Sequence, residues 1–519
     1  MKNKKQAILL SVIASIALLV LIVGATYAYF QASGGTGTNT DVKVTTYTTD
    51  VFNFEVGNDI SIYADATSFA SGKGNASGST FAKAILTANN KTNTSTMNYY
   101  LYLKISKNSF GYTQNTSTPE LLLTITDASG NAVTDITSLT YKTVTDGKGA
   151  SISGYDITNK SGLITLFDKK AITASPTKTD EWNITVTFIN YNADQSNNMG
   201  KEFNAKLMIQ KDEYKRTVEE YVLSLYTGTQ GENSLYYHDS SLTNGAGDKS
   251  YRYAGPSNTT NNFVCFGSDE ATCPTDNLYR IIGVIDDKVK LIKYDYATST
   301  LLGTDGAYYG SSTPNSSYYK GSLSSVNTYY WNYKASGSAS NTWSTSLLNK
   351  TNLNTNFINK IGSTWANKIA TTTWKVGGNT WANIGGATPP TAYQNEIVDP
   401  VTTNTTDGAK EYSAKIGLMY VSDYYYAASP SAWTLVGYNS SDSTKDYRAA
   451  RGDNWMYMGY TEWTISRIFG SSTIAFIVSN TGRVSHTNAN LVVRPSFNLE
   501  STVAYVGGSG TQSDPIRIA

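Results

Sequence analysis

Alternating apolar and polar positions characterise the first half of the chain. Residues 182–188 alternate strictly, which is typical of a strand with one wet face, and residues 203–209 repeat the pattern. Residues 99–105, 121–125 and 163–167 are β-branched or aromatic runs between turn residues. Since no long segment of helical period interrupts these runs, the pattern predicts a β-sandwich over residues 41–211.

A helical pattern follows. Apolar residues between 214 and 225 fall on one helical face, acidic residues stand at 212 and 213, and Gly228 lies just past the end. This predicts a linker helix over residues 212–228, acting as a spacer that docks on one of its neighbours.

The remaining stretch, residues 229–519, predicts a second domain of α+β class with long loops. Residues 279–285 and 289–293 flank Asp286-Asp287-Lys288 and predict a hairpin. Residues 374–407 are rich in Gly, Thr, Asn and Pro and predict a long irregular loop. The apolar run 416–421 predicts a buried strand.

The start of the chain indicates export. Lysines at positions 2, 4 and 5 precede an apolar run over residues 7–23, and small residues follow. This pattern is typical of a secretory signal, with Ala28 at the −1 position and cleavage before Tyr29. Signal peptidase is then a partner during export.

The same segment also fits an uncleaved anchor. Residues 7–30 form a hydrophobic helix long enough to cross a membrane, with Tyr29 and Phe30 in an aromatic belt. Either way, residues 1–30 are a signal peptide or membrane anchor, and the rest is extracytoplasmic. Residues 31–40, rich in Gly and Thr, predict a flexible tether.

The run Gly-Ala-Thr-Tyr-Ala-Tyr-Phe at residues 24–30 resembles the leader ending of the camelysin and biofilm-matrix fibre proteins of Gram-positive bacteria. Residues 188–207 resemble the closing strands of the camelysin-type sandwich. The resemblance covers residues 20–211 and implies a sandwich at the cell surface, in relatives that build extracellular fibres.

The C-terminal stretch resembles the C-type-lectin-like superfamily, which includes formylglycine-generating enzymes. A Trp463-x-x-Ser466-Arg467 strand, an apolar strand, a Gly turn and a strand with Arg494-Pro495 carry this resemblance. It implies a fold that brings residues 279–284 near residues 492–499 and displays long loops on one side. The calcium-binding triplets and the catalytic cysteines of these families are missing, so neither activity is expected.

Composition narrows the function classes. With 519 residues, the chain suggests two or three domains. The 41 Lys and Arg nearly balance the 40 Asp and Glu, and no basic cluster follows the leader, so nucleic-acid binding is rejected. No glycine pattern of a P-loop or a Rossmann fold is present, and no cofactor is expected.

The only two cysteines, Cys265 and Cys273, predict a disulfide in an exported chain. The alternative, half of a metal site, lacks its other half, because His238 and His486 do not have metal-ligand spacing. Ser/His/Asp catalysis is equally unsupported, and both histidines are expected at the surface.

Aromatic residues in the predicted loops are the candidates for ligand binding, because aromatic faces stack on sugars or anchor proteins. These candidates are Trp365, Trp374, Trp381, Tyr393, Trp433 and Trp455. The alternative is that they anchor the loops themselves. Arg494 is predicted to be a buried ion-pair or hydrogen-bond centre.

Together these features predict a non-enzymatic bacterial surface protein that binds a glycan or a host or matrix protein through its lectin-like head. The alternative is a structural subunit of an extracellular fibre, assembled through sandwich edges.

Overall fold

The computed structural model describes residues 31–33, 50–69, 73–89, 93–303, 319–323, 326–334, 338–400 and 410–519. The predicted leader, with its hydrophobic helix and the Ala28–Tyr29 cleavage site, lies outside these residues. Within the described part, no helix is both long and apolar enough to cross a membrane. The chain divides into two compact units, of which the first ends at Tyr214 and the second runs from Lys215 to Ala519.

The first unit is built from antiparallel strands. They are β1 Gln31–Ser33, β2 Val51–Val56, β3 Ile60–Tyr63, β4 Ala76–Thr87, β5 Ser95–Asn108, β6 Leu121–Asp127, β7 Tyr141–Thr145, β8 Ser151–Asp156, β9 Gly162–Ala174, β10 Thr177–Phe188 and β11 Glu202–Gln210. One sheet has the order β1-β11-β5-β9, with β3 also paired to β11, and the other has the order β2-β4-β10-β6-β8-β7.

Both sheets contribute side chains to one hydrophobic core. Ile184 and Val186 of β10 are buried in the same cluster as Leu101 and Leu103 of β5, whereas Asn183 is exposed. The alternation read from the sequence is therefore confirmed on these strands. Two sheets that bury their inner faces against each other form a β-sandwich.

The predicted tether over residues 31–40 is wrong at its start. Residues 31–33 form β1, which pairs with Met208–Gln210 of β11, and residues 34–40 lie outside the described part. The Gly- and Thr-rich composition does not reveal this pairing, because it depends on an open edge of β11, far away in the sequence.

The linker helix is shorter than the predicted 212–228. Helix α1 spans Val218–Leu223 and begins with a capping box, in which Thr217 and Glu220 each accept the backbone N–H of the other. Its buried face packs into the core of the second unit. Tyr214 lies in the first unit. The apolar residues that recur at helical spacing from Tyr214 onward therefore do not belong to one helix.

The second unit mixes short strands with short helices. Its strands are β12 Leu235–Tyr237, β13 Tyr251–Tyr253, β14 Phe263–Cys265, β15 Leu278–Ile285, β16 Lys288–Lys293, β17 Tyr319–Leu323, β18 Val326–Tyr330, β19 Thr372–Lys375, β20 Gly378–Asn379, β21 Glu411–Ala414, β22 Glu462–Ile468, β23 Ala475–Val478, β24 Val484–Thr487, β25 Asn490–Leu491, β26 Ser496–Asn498, β27 Tyr505–Gly507 and β28 Arg517–Ile518.

After α1, the α-helices are α2 Ser299–Leu302, α3 Ile358–Ala366, α4 Pro389–Tyr393, α5 Val421–Tyr426 and α6 Tyr447–Ala450. Two π-helical segments span Leu348–Phe357 and Gln394–Val398. Short 3₁₀ turns span Ala66–Phe69, Ser196–Asn198, Glu232–Ser234, Thr275–Asn277, Trp343–Thr345, Pro430–Thr434, Ser443–Lys445 and Arg451–Asp453.

The predicted hairpin is confirmed as β15 and β16. Asp286 and Asp287 form its turn with φ of 50° and 56°, the left-handed values that two-residue hairpin turns require. β16, not β15, is hydrogen-bonded to the C-terminal strand β26. The ring of Tyr279 on β15 nevertheless lies 5.4 Å from that of Phe497, so the two segments are close, as expected.

Two expectations for the second unit are wrong. Residues 374–400 are not an irregular loop, because they contain β20, α4 and a π-helical segment, and two prolines stand in the first turn of α4. Residues 416–420 are buried, but they form only an isolated pairing between Gly417 and Ser496 rather than a strand. Apolar periodicity alone does not separate a buried strand from another buried segment.

Candidate functional site

Five of the six aromatic side chains proposed for ligand binding are buried in the second unit. Their exposed fractions are 7% for Trp365, 1% for Trp374, 7% for Tyr393 and 0% for Trp433 and Trp455. A ring without an accessible face cannot stack on a ligand, so the hypothesis does not hold for these five. They act instead as internal anchors of the long connections, the alternative considered from the sequence.

Hydrogen bonds explain how these polar aromatics are accommodated in a core. The indole N–H of Trp433 donates to the carbonyl oxygen of Ala428 over 2.9 Å, and that of Trp455 donates to Tyr253 over 2.8 Å. Buried indoles usually require such a partner. Both rings are therefore fixed inside the core and are not accessible to a ligand.

Trp381, the sixth candidate, is half-buried and lies in a surface cluster that we call the aromatic–arginine patch. The patch consists of Trp381, Tyr438, Arg448, Arg483 and His486. The centroid of the Trp381 ring lies 5.4 Å from His486 and 6.2 Å from Tyr438, both in edge-on geometry. His486 is exposed and the other four are half-buried, so the cluster meets solvent.

Two guanidinium groups lie over the Tyr438 ring. Their central carbons are 4.4 Å from the ring centroid for Arg483 and 5.0 Å for Arg448. Arg448 is neutralised by a forked pair with the buried Asp446, at 2.7–3.0 Å. Among the described residues, no carboxylate pairs with Arg483, so its positive charge is available to a ligand.

Backbone contacts bring these side chains together. A Cβ at Gly385 would lie 2.3 Å from the Trp381 ring, so the close approach of the ring requires glycine there. The carbonyl of Gly385 accepts the N–H of Tyr438 over 2.9 Å, and that of Gly437 accepts the N–H of Val484 at the start of β24. Three separate segments therefore converge on one surface.

Sequence reasoning identified Trp381 as a candidate and missed both arginines of the patch. Arg448 belongs to the short helix α6 and Arg483 directly precedes β24. No spacing between positions 381, 448 and 483 connects them, because the connection is made by tertiary packing. The motif that contains Arg483, a glycine turn between two strands, predicts only the turn.

The predicted disulfide is confirmed. Cys265, at the end of β14, is bonded to Cys273, and their Cα atoms are 5.8 Å apart. Because β14 pairs with β15, the bridge holds the intervening loop against the edge of the central sheet of the second unit.

The prediction for Arg494 is also confirmed. Its Nε and Nη2 donate to the two carboxylate oxygens of Glu462 over 2.7 and 2.8 Å, and both side chains are 1% exposed. Nη2 also donates to the carbonyl of Met456. This fork joins the C-terminal strands to β22 inside the core.

The two histidines differ. His486 is exposed on β24, as predicted, whereas the prediction of a surface position for His238 is wrong because its side chain is completely buried. His238 packs edge-on against Tyr426 with ring centroids 4.9 Å apart, and it also contacts Trp433. Within the part of the chain that the structure describes, no group of three or more His, Cys, Asp or Glu could hold a metal ion.

The first unit carries a cleft of about 660 Å³ along β9. It is lined by residues of β9, by the connection at residues 135–138 and by residues 213 and 214. Its charged lining residues are three acidic ones and one basic one, namely Asp135, Asp168, Glu213 and Lys170. The cleft is therefore acidic and follows the last strand of its sheet.

The chain matches no protein-family model, and comparisons with curated proteins and with solved structures found no match. Function must therefore be inferred from the sequence and the geometry of the chain itself.

Proposed function

We propose that this chain is an exported bacterial surface protein whose second unit, a C-type-lectin-like head, binds a glycan or a host or matrix protein without catalysing a reaction. The leader pattern of residues 1–30 supports export, as does the bond between Cys265 and Cys273, because disulfides persist in oxidising compartments. The membrane is then a partner during export or anchoring.

The lectin-like part of the proposal is supported by strand pairing. The early hairpin β15–β16 pairs with β26 near the C-terminus, and the intervening residues 294–495 carry the long connections. A fold that closes its terminal strands in one sheet can display these connections on one side, as the resemblance implies.

The aromatic–arginine patch is the observation that carries the binding proposal. A half-buried indole and a phenol offer apolar surface, and Arg483 offers hydrogen-bond donors and a positive charge that pairs with no carboxylate in the part of the chain that the structure describes. Aromatic and arginine side chains are over-represented among residues that dominate protein binding energies. Sugar rings also stack on such aromatic faces.

Arrays of glycans and matrix proteins, probed with the full exported chain, test this proposal. We expect binding to at least one class, weakened at least tenfold, or about 1.4 kcal/mol, in Arg483→Gln and Trp381→Ala. Tyr460→Ala is the matched control, because Tyr460 is 37% exposed in the same unit and lies outside the patch. A folded chain that binds nothing, or equal losses in patch and control variants, would refute the proposal.

A structural role is the second candidate, and the first unit motivates it. The end strands β2, β7 and β9 each lack a second strand partner among the described residues, and the acidic cleft follows β9. Open strand edges are templates for pairing with another chain. The camelysin-like resemblance supports this reading, since those relatives build extracellular fibres.

Electron microscopy of the full exported chain distinguishes the two roles. Filaments that disappear in Leu163→Lys, which places a charge on the exposed edge of β9, would support assembly. Met199→Lys is the control, because Met199 is 55% exposed in a turn and not on a strand edge. Wild-type chain that remains monomeric would count against the structural role.

A further inference from the structure

A lysine and an aspartate meet inside the second unit. Nζ of Lys290, on β16, lies 2.6 Å from Oδ2 of Asp423, on α5. Lys290 is 4% exposed and Asp423 is 2% exposed, so water has almost no access to the pair. Since a carboxyl C–O bond is about 1.2 Å long, Nζ lies no more than about 3.8 Å from Cγ of Asp423.

Aromatic rings surround the lysine end of this pair. Nζ of Lys290 is 4.4 Å from the ring centroid of Tyr420 and 5.5 Å from that of Trp374. Buried charges in such surroundings have a high desolvation cost, which their mutual attraction does not always offset. Conversion of the pair into a neutral group would remove this cost.

The charges around the pair would still be balanced after such a conversion, because a second ion pair lies beside it. Nη1 of Arg252 lies 3.5 Å from Oδ1 of Asp423, while its Nη2 is 2.7 Å from Asp248. Loss of the charges on Lys290 and Asp423 would therefore leave Arg252 paired with Asp248. The Arg252 guanidinium also lies where it would stabilise negative charge developing on Oδ1.

A buried carboxyl group stands beside the same helix end. Glu396 is 3% exposed and accepts the N–H groups of Val421 and Ser422, the residues just before Asp423, as well as the hydroxyl of Ser466. Burial raises the pKa of Glu396 and so favours its protonated form. Burial lowers the pKa of Lys290, against the opposing effect of Asp423 and Glu396, and so favours the neutral amine.

We propose that Lys290 and Asp423 are joined by an intramolecular amide bond between Nζ and Cγ. A proton passes from the ammonium to the carboxylate, and the lone pair of the neutral Nζ then attacks Cγ. The new N–C bond forms, one C–O bond breaks, and the oxygen leaves as water with one proton from the acid and one from the amine. Ammonium and carboxylate thus become amide and water, and no oxidant or co-reactant is needed.

Glu396 is the proposed positioning residue of this step, because its carboxyl group accepts the N–H groups of Val421 and Ser422 and so holds the start of α5, which carries Asp423. The product would tie β16 covalently to α5 across a sequence separation of 133 residues. A bond of this kind would lock the core of the head permanently, whatever ligand the surface binds.

The mass of the full chain tests the bond directly. After reduction of the disulfide and full denaturation, we expect a mass lower than the sequence value by one water, about 18 Da. A tryptic digest should contain one branched peptide that includes both Lys290 and Asp423. A wild-type mass equal to the sequence value, with Lys290 and Asp423 in separate linear peptides, would overturn the proposal.

Variants assign the atoms. Lys290→Arg keeps the charge and removes the amine, so the water loss should disappear, while Lys293→Arg on the same strand should retain it. The Lys293 control is matched, since Lys293 is also buried and its Nζ has no hydrogen-bond partner among the described residues. Water loss that persists in Lys290→Arg would refute the assigned bond, and full water loss in Glu396→Gln would show that Glu396 is not needed to position Asp423. If a variant fails to fold, the wild-type mass still decides.

Discussion

Acidification should destabilise the second unit through the buried His238. Nδ1 of this side chain accepts the backbone N–H of Ala246 over 3.0 Å, so its proton is on Nε2. Nε2 has no hydrogen-bond partner among the described residues. Protonation of Nδ1 would break the contact with Ala246 and place a cation in a buried aromatic site.

The size of the effect follows from the pKa values of the two states. Burial, together with the charge of Arg252 and against that of Asp248, lowers the pKa of His238 from 6.5 to about 3. Below pH 6.5 the unfolded chain therefore binds a proton that the folded chain does not, and stability falls as the pH falls. At about pH 5 this group should remove about 2 kcal/mol of the stability present at about pH 8.

Urea denaturation followed by tryptophan emission measures this loss in the second unit, because eight of the nine tryptophans lie there. Carboxylates also titrate, so the informative quantity is the difference between variants. His238→Asn retains an acceptor for Ala246 and should lose much of the slope of stability against pH. His486→Asn, at the exposed histidine, should keep the wild-type slope. Equal slopes in the wild type and in His238→Asn would refute the reasoning.

Three further predictions concern stability. Cys265→Ser should lower the free energy of unfolding of the second unit by about 2–3 kcal/mol, because Cys265 and Cys273 close a loop with a sequence separation of only 8, and the transition of the first unit should not change. Calorimetry of oxidised and reduced protein checks this, and equal stabilities would contradict it. Glu462→Gln should lower the free energy of unfolding by about 3 kcal/mol, measured in denaturant, because it leaves Arg494 buried without a counter-charge. Replacing both residues by Met should lower it less. A double variant no more stable than the single variant would argue against this account. Thr217→Ala should cost about 1 kcal/mol through loss of the helix cap. The control is Thr229→Ala, at an exposed position outside the helix, and unchanged stability in Thr217→Ala would show that the cap is not needed.

The sequence alone determined the local features of this protein. Strict alternation over residues 182–188 predicted a strand with one buried face, and the structure has it in β10. The run Asp286-Asp287-Lys288 between two apolar segments predicted a hairpin, and the structure places its turn at Asp286 and Asp287. Two cysteines with a sequence separation of 8 predicted a disulfide. Each of these inferences depends on neighbours along the chain.

Only the tertiary structure decided which side chains are accessible. Trp381 and Trp433 look alike as aromatic residues in loop-like sequence, yet Trp433 is fully buried and Trp381 reaches the surface beside Arg483. His238, expected at the surface, is enclosed by rings from residues 426 and 433. Whether a side chain is buried depends on which segments, distant in the sequence, pack against it. Composition does not indicate which segments come into contact.

The same reason applies to the Lys290–Asp423 pair. Neither residue belongs to a recognisable motif, since one lies in a strand and the other near the start of a short helix. Because they are 133 residues apart, the sequence does not indicate that they are in contact. Local patterns therefore determined strand β10, the hairpin and the disulfide. The packing of distant segments determined the surface patch and the chemistry of the core, because burial and proximity arise only when the chain is folded.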